Sequence, residues 1–351
     1  MKWEENVRKV TPYTPGEQPQ KAGIIKLNTN ENPYPPAPGV AEAVAALDVE
    51  KLRLYPAFPE KTALAEELAA YYHIGTDQIF IGVGSDDVLS MAFMTFFDSD
   101  KPIFFPDITY SFYDVWADVF RIPFRQCPLD ENFRMKKEDY FVPNGGIIIP
   151  NPNAPTGVLE QTALFEEIIK KNPDSVVIID EAYIDFGGES MVPFVDRYDN
   201  LMVVQTFSKS RAMAGMRIGF AIANEKMIRY LKDVKFSFNS YTMNTPAVLA
   251  GEAAVLDDAY FKEIVGKIVK TRKWTKNQLK RLGFTFTDSK SNFLFVTHKS
   301  VPAKDIFLAL RENNIYVRYW NKPRIDNYLR ITIGTDEQMQ ILVDFLENYL
   351  A

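Results

Sequence analysis

Lys209 is the residue in this chain best placed to act as a nucleophile. It comes shortly after the apolar run LMVVQ (201–205), and a lysine at the end of a buried strand is partly desolvated. Desolvation favours the neutral amine, which can form a Schiff base with an aldehyde. The surrounding segment QTFSKSRAMAGMRIGF (205–220) puts Thr206 and Ser208 close by and Arg217 eight residues on. Two hydroxyls and a guanidinium are the donors that a phosphate monoester needs. A carboxylate adds to this set. Asp180 closes the apolar run VVIID (176–180), and the carboxyl ends of such strands are where open α/β sheets bind ligands. Tyr183 follows three residues later. Gly82-Val83-Gly84 then forms a tight turn into a helix that begins Ser85-Asp86-Asp87. Ser85 is expected as its N-cap, and the free N–H groups of a helix start can hold a phosphate. NPNAPTG (151–157) makes a rigid turn at the same sheet edge.

The same residues exclude other chemistries. A dinucleotide fingerprint needs a third glycine where Asp87 stands. VVIIDE resembles the second motif of phosphate-loop ATPases, but no G-x-x-x-x-G-K-[ST] segment exists in the chain. One cysteine, Cys127, and two histidines, His73 and His298, leave no disulfide framework and no Cys/His metal cluster, so no metal is expected. Cys127 reads as a small filler and the histidines as structural or surface residues. A net charge of -6 gives no basic footprint for nucleic acid. No apolar run approaches the roughly 18–20 residues of a membrane span, and the charged start MKWEENVRKV has no apolar secretory core. A single thiol fits a reducing setting, so a cytoplasmic location is expected.

Short apolar runs alternating with helical patterns must position these groups. IFIGVG (79–84), IFF (103–105), GIIIP (146–150), VVIID, LMVVQ and IGFAIA (218–223) are the strands. KTALAEELAAYY, SDDVLSMAFMTFF (85–97) and QTALFEEIIKK (161–171) are helices between them. Continuous apolar strands of this kind indicate a mostly parallel sheet covered on both faces. With 351 residues the chain should hold about two domains. The proline-rich first 40 residues are expected as an extended arm on the surface, neither strand nor helix, which wraps the body. After residue 240 the pattern changes to one long helical stretch (245–282) and then NFLFV, a helix near 303–313, IYVRYW, YLRITIG and a last helix (336–350), a smaller α+β unit.

Together these motifs resemble the fold-type I pyridoxal-phosphate aminotransferases over nearly the whole chain. ENVRKVTPY, LNTNENP, LYP, GSDD, PNAPTG, DEAYIDF, SNFLFV and YLRITIGT look like the histidinol-phosphate aminotransferase family within them. The resemblance implies an α/β fold: a three-layer α/β/α large domain with a mostly parallel mixed sheet, plus a smaller α+β domain. It places the arm at 1–27, the large domain at 28–240 and the small one at 241–351. It implies pyridoxal 5′-phosphate as cofactor and Lys209 as the lysine bound to its aldehyde. Asp180 matches the aspartate facing the pyridine nitrogen, where a carboxylate keeps the ring protonated. Tyr183 matches the tyrosine at the phenolate oxygen, and Tyr110 the ring that stacks on the cofactor. Thr206, Ser208, Arg217, Ser85 and Asp86 match the phosphate cup.

Tyr55 in LYP matches a tyrosine donated across a dimer interface, so the resemblance implies a homodimer with shared active sites. For substrate, Arg330 matches the carboxylate-binding arginine, while Arg318 and Tyr13 match phosphate contacts and Asn30 in LNTNENP belongs to the same set. The implied reaction takes histidinol phosphate and 2-oxoglutarate to imidazole acetol phosphate and glutamate, in histidine biosynthesis. The resemblance leaves open an aromatic amino-acid aminotransferase or a threonine-phosphate decarboxylase. Ala154 stands where the family often has a second asparagine at the phenolate oxygen, with Asn153 and Tyr183 left to carry that contact. Ser210-Arg211 and the second aspartate of GSDD also depart from the usual pattern.

Overall fold

The run Ile147-Ile148-Ile149 shows how the sequence builds the central sheet. Ile147 and Ile149 enter one apolar cluster and Ile148 the other, because successive strand side chains point to opposite faces. Val177/Ile179 against Ile178, and Leu201/Val203 against Met202/Val204, divide in the same way. Both faces of these strands are therefore covered, which is why the runs are apolar throughout.

The computed structural model describes residues 2–351. Its main sheet has seven strands, in spatial order Ile79–Gly82, Gly219–Ala223, Leu201–Thr206, Val177–Asp180, Gly146–Pro150, Ile103–Pro106 and Phe124–Cys127. All neighbours are parallel except the two pairings made by Gly219–Ala223. Helices Ala63–Tyr72, Thr162–Lys171 and Thr245–Leu256 supply the cluster on one face. Gly84–Phe96, Tyr113–Phe120 and Glu225–Phe238 supply the other. The architecture is a three-layer α/β/α sandwich with a mixed, mostly parallel sheet, as the sequence implies.

A second sheet of four antiparallel strands runs in the order Arg318–Tyr319, Leu329–Thr332, Phe293–His298, Phe284–Phe286. Residues of helices Asp258–Arg281, Ala303–Glu312 and Asp336–Leu350 pack with it in a core of their own. Phe133 and Val158 from the large sheet's side meet Phe295 and Ile325 in a further apolar cluster that joins the two units.

Several expectations need correction. The arm is not wholly irregular, because Ile25–Lys26 pairs in parallel with Ile315–Tyr316 and Leu27 is buried in the smaller core. Pro38–Ala45 is helical, with proline in the first turn, where its missing N–H costs nothing. The stretch 245–282 is two helices, Thr245–Leu256 and Asp258–Arg281. Asp257 ends the first and caps the second by accepting from Tyr260 N–H at 3.1 Å. Ser85 is not the N-cap: the helix starts at Gly84, so Ser85 lies in its first turn. The Asp87 carboxylate takes the Val83 N–H instead, at 2.9 Å.

Candidate active site

The site lies along the carboxyl ends of the parallel strands. Gly146–Pro150 leads into the NPNAPTG loop, Val177–Asp180 ends on its carboxylate, and Leu201–Thr206 runs into Ser208 and Lys209. The antiparallel strand starts at this same edge. Thr206 pairs with Gly219 and Gly219 with Gly82, which brings Arg217 and the start of helix Gly84–Phe96 together. Two glycines make the approach possible. A Cβ on Gly219 would collide with Gly84 C and Ser85 N, and Gly84 has φ +80 with Arg217 packed against the place of its Cβ.

These elements enclose a hollow of about 180 Å³. At one end Asp180 is buried, accepting from Tyr113 Oη at 2.8 Å and from Ala182 N–H at 3.2 Å. Burial pushes its carboxyl up to about 6, and the Tyr113 hydrogen bond opposes that rise. At the other end, Arg217 Nη1 donates to Ser208 Oγ at 3.4 Å, and the Ser208 and Thr206 hydroxyls are 3.0 Å apart. Ser85 and Asp86 line the same end. The Asp86 carboxylate accepts from Tyr110 Oη at 2.8 Å and pairs with Arg217 at 3.4 Å. Lys209 Nζ reaches Thr29 O at 3.4 Å and lies 5.8 Å from the Tyr183 ring centre. Asn30 Nδ2 donates to Tyr183 Oη at 2.9 Å.

A wider cavity of about 650 Å³ opens from this hollow and shares Lys209, Tyr183 and Tyr110 with it. Tyr13, Asn30, Arg318 and Arg330 all face it. Arg330 donates to Asn28 O at 2.8 Å, burial lowers its pKa, and its buried Nε has no partner. Arg318 donates to the arm carbonyls of Thr14 and Pro15 at 3.0 and 3.1 Å. Tyr13 stacks on Phe112 with centroids 4.1 Å apart.

Two residues marked out by the sequence lie elsewhere. Asn153 is committed to the loop: it donates to Ile108 O at 2.9 Å and Thr156 Oγ1 at 3.0 Å and accepts from Thr109. Ala154, not Asn153, lines both cavities. Tyr55 is 80% exposed and stacks on Tyr241, away from the hollow. The histidines also stand apart. His73 ends a helix in the left-handed conformation, and His298 bonds Leu282 O at 3.0 Å.

Sequence reasoning missed Tyr113 and Asn32. Tyr113 lies three residues beyond Tyr110 and opens the helix Tyr113–Phe120; its bond to Asp180 comes from packing, although a second tyrosine in the same segment was a usable signal. Asn32 donates to the carbonyls of Lys209 and Ser210 at 3.0 and 3.1 Å, tying the arm segment to the lysine loop.

A primary amine, a buried carboxylate and a guanidinium with hydroxyls thus share one hollow, and three further guanidiniums, those of Arg318, Arg324 and Arg330, line the adjoining cavity. Residues 22–346 match the family described as aminotransferase class I and II, and the chain belongs to that family. Histidinol-phosphate aminotransferase from Lactococcus lactis subsp. lactis is 51% identical over 350 residues, covering 100% of this chain and 97% of that one. The fold is likewise that of two solved structures. Histidinol-phosphate aminotransferase from Clostridium acetobutylicum has a TM-score of 0.85 at 22% identity, covering 93% of this chain and 99% of that chain. The enzyme of that name from Sinorhizobium meliloti, solved in complex with pyridoxal-5′-phosphate, has a TM-score of 0.84 at 21% identity, covering 93% and 90%.

The family's cofactor is pyridoxal 5′-phosphate, and the donor set here fits it. Lys209 suits the aldehyde, Asp180 a protonated ring nitrogen, and Arg217 with Ser208 and the helix start the phosphate.

Proposed function

We propose that the chain transfers the amino group of histidinol phosphate to 2-oxoglutarate, giving imidazole acetol phosphate and glutamate, in histidine biosynthesis. The observation that carries this reading is the pair Arg318 and Arg330 on the wall of the cavity that Lys209 faces. Two such cations can share the double charge of a phosphoryl group, and the carboxylates of the second substrate pair can use them in turn.

Bound pyridoxal phosphate supplies an aldehyde and a ring that accepts the electron pair left when the substrate Cα–H bond breaks. Lys209 Nζ is the base that takes the Cα proton and then the acid that gives it up. The Asp180 carboxylate would hold the proton on the ring nitrogen; a cation there draws the carboxyl back down from about 6. Tyr183 Oη, with Asn30 donating to it, would meet the phenolate oxygen. With Asn153 committed to its own loop, Tyr183 carries this contact alone. Ser85, the helix-start backbone at Asp86, Thr206, Ser208 and Arg217 would hold the phosphate, and Tyr110 would stack on the ring. Tyr13, Arg318 and Arg330 hold the substrate anion.

A homodimer completes the proposal. Tyr55 stacks on Tyr241, itself 49% exposed, and its chain neighbours Leu52 and Leu54 are 48% and 56% exposed. That apolar surface suits a second copy, to which Tyr55 would be donated. The proposed division is an arm (1–27), a large cofactor domain (28–240) and a small domain (241–351). Helix Thr245–Leu256 lies past that boundary and packs into the large sheet's core. No helix among the described residues is long and apolar enough to cross a membrane. The cytoplasm is the proposed location, in keeping with a single thiol at Cys127.

Lys209→Ala should abolish turnover and keep the fold; near-normal activity would refute the assignment. A half-reaction panel of histidinol phosphate, phenylalanine and threonine phosphate tests the substrate. Fast amino transfer from histidinol phosphate alone is expected. Preference for phenylalanine, or release of CO2 from threonine phosphate, would replace this reading.

A further inference from the structure

Arg318 and Arg330 are direct cross-strand partners on the antiparallel strands Arg318–Tyr319 and Leu329–Thr332. Their Cβ atoms are then roughly 5 Å apart, a place where like charges destabilise a sheet. Among the described residues neither guanidinium has a carboxylate within ion-pair distance. Both guanidiniums instead approach the same aromatic ring. The Arg318 guanidinium is 5.3 Å and the Arg330 guanidinium 5.2 Å from the Trp320 centroid, and Arg330 lies 5.4 Å from Phe293 as well. An indole face attracts cations more strongly than a phenyl ring does, so Trp320 offsets the repulsion of the two cations that it touches. Backbone carbonyls fix the same groups: Thr14 and Pro15 hold Arg318, and Asn28 holds Arg330, whose Nε stays unpartnered.

We infer that Trp320 is a positioning residue that spaces Arg318 and Arg330 for a phosphoryl dianion and so sets the cavity's preference for a phosphorylated amine over a carboxylate. The inference rests on the substrate reading above. One planar guanidinium satisfies a carboxylate in a bidentate pair, whereas the three oxygens and double charge of a phosphoryl group leave room for a second cation beside the first. Losing the spacer therefore harms phosphate binding most.

The test uses the holoenzyme with Trp320→Leu and Trp320→Phe. In Trp320→Leu, KM for histidinol phosphate should rise about tenfold, KM for glutamate by less than about threefold, and kcat should stay within about twofold. The dissociation constant of inorganic phosphate, measured by calorimetry, should rise by a similar factor, with Trp320→Phe between the two. Equal rises for both substrates, or unchanged phosphate affinity, would overturn the inference. If Trp320→Leu does not fold, Trp320→Phe decides, because a weaker ring should give a smaller shift with the same selectivity. Wild-type protein that binds phosphate through Trp320 yet fails to transaminate histidinol phosphate would refute the activity and uphold the spacing role.

Discussion

Tyr113 donates its hydroxyl hydrogen to Asp180 Oδ2 at 2.8 Å, and both side chains are buried. The bond stabilises the ionised carboxylate against the burial that pushes it up to about 6. Tyr113→Phe removes the donor and leaves the ring, so the Asp180 carboxyl should rise further and be less ionised at neutral pH. We expect kcat to fall several-fold at pH 7 and the acidic limb of its pH profile to move to higher pH. Superimposable kcat–pH profiles would disprove this role.

Asp180 also governs stability in the protein stripped of cofactor. Its native carboxyl, at about 6, lies above the ordinary 3.8, and Glu181, buried on the same loop, rises from 4.5 to about 7. A native state that holds a proton more tightly than the unfolded chain is favoured at low pH. That stability is fully present below about pH 4 and is lost as pH climbs through the native values. Urea unfolding of the stripped protein should therefore show falling stability between pH 4 and 7. Asp180→Asn should remove on the order of 3 kcal/mol of that fall and leave the share owed to Glu181. Equal slopes in both proteins would count against the assignment.

The residues legible in the sequence were those whose meaning is local. Ile147-Ile148-Ile149 read as a strand because both its faces are buried, and Lys209 and Asp180 stood out because each ends such a strand. Phe124–Cys127 was missed because FRQC is an edge strand with three exposed residues and no apolar run. Tyr113–Phe120 was missed because YDVWADVF packs its aromatic face against Gly84–Phe96, a partner distant in sequence. Tyr113, Asn32 and Trp320 likewise take their roles from contacts that only the assembled fold makes. Asn153 misled for the same reason: its neighbours Ile108, Thr109 and Thr156 claim it.

Lys235 explains how the chain accommodates aspartate as the second acid of GSDD. Its Nζ lies 2.7 and 2.9 Å from the two Asp87 oxygens, and its side chain is 5% exposed. Asp87 also takes the Val83 N–H, so the pair pins the helix start that lines the cofactor hollow. Lys235→Met leaves a half-buried carboxylate, 20% exposed, without its cation and should cost about 2 kcal/mol, whereas adding Asp87→Asn should restore most of that loss. Urea midpoints for the three variants measure it. Additive losses in the double variant would mean that the pair is not coupled.

Arg318 joins the substrate cavity to the arm. Its two terminal nitrogens grip Thr14 O and Pro15 O, Asn28 Nδ2 donates to Glu17 O at 2.8 Å, and Tyr13 is stacked on Phe112. Few other contacts hold this segment, so it should open at low free energy cost and be the first part of the chain a protease cuts. An anion on Arg318 orders the guanidinium that carries those carbonyls, and Tyr13 faces the same cavity. Cofactor with histidinol phosphate should therefore slow cleavage within residues 10–35. Arg318→Lys keeps the charge but cannot hold two carbonyls in a planar fork. In that variant cleavage should be several-fold faster than in wild type, and substrate should restore little protection. If wild type and Arg318→Lys are cut at the same rate, and substrate protects them equally, the arm is held by Tyr13 and Asn28 and the link through Arg318 fails.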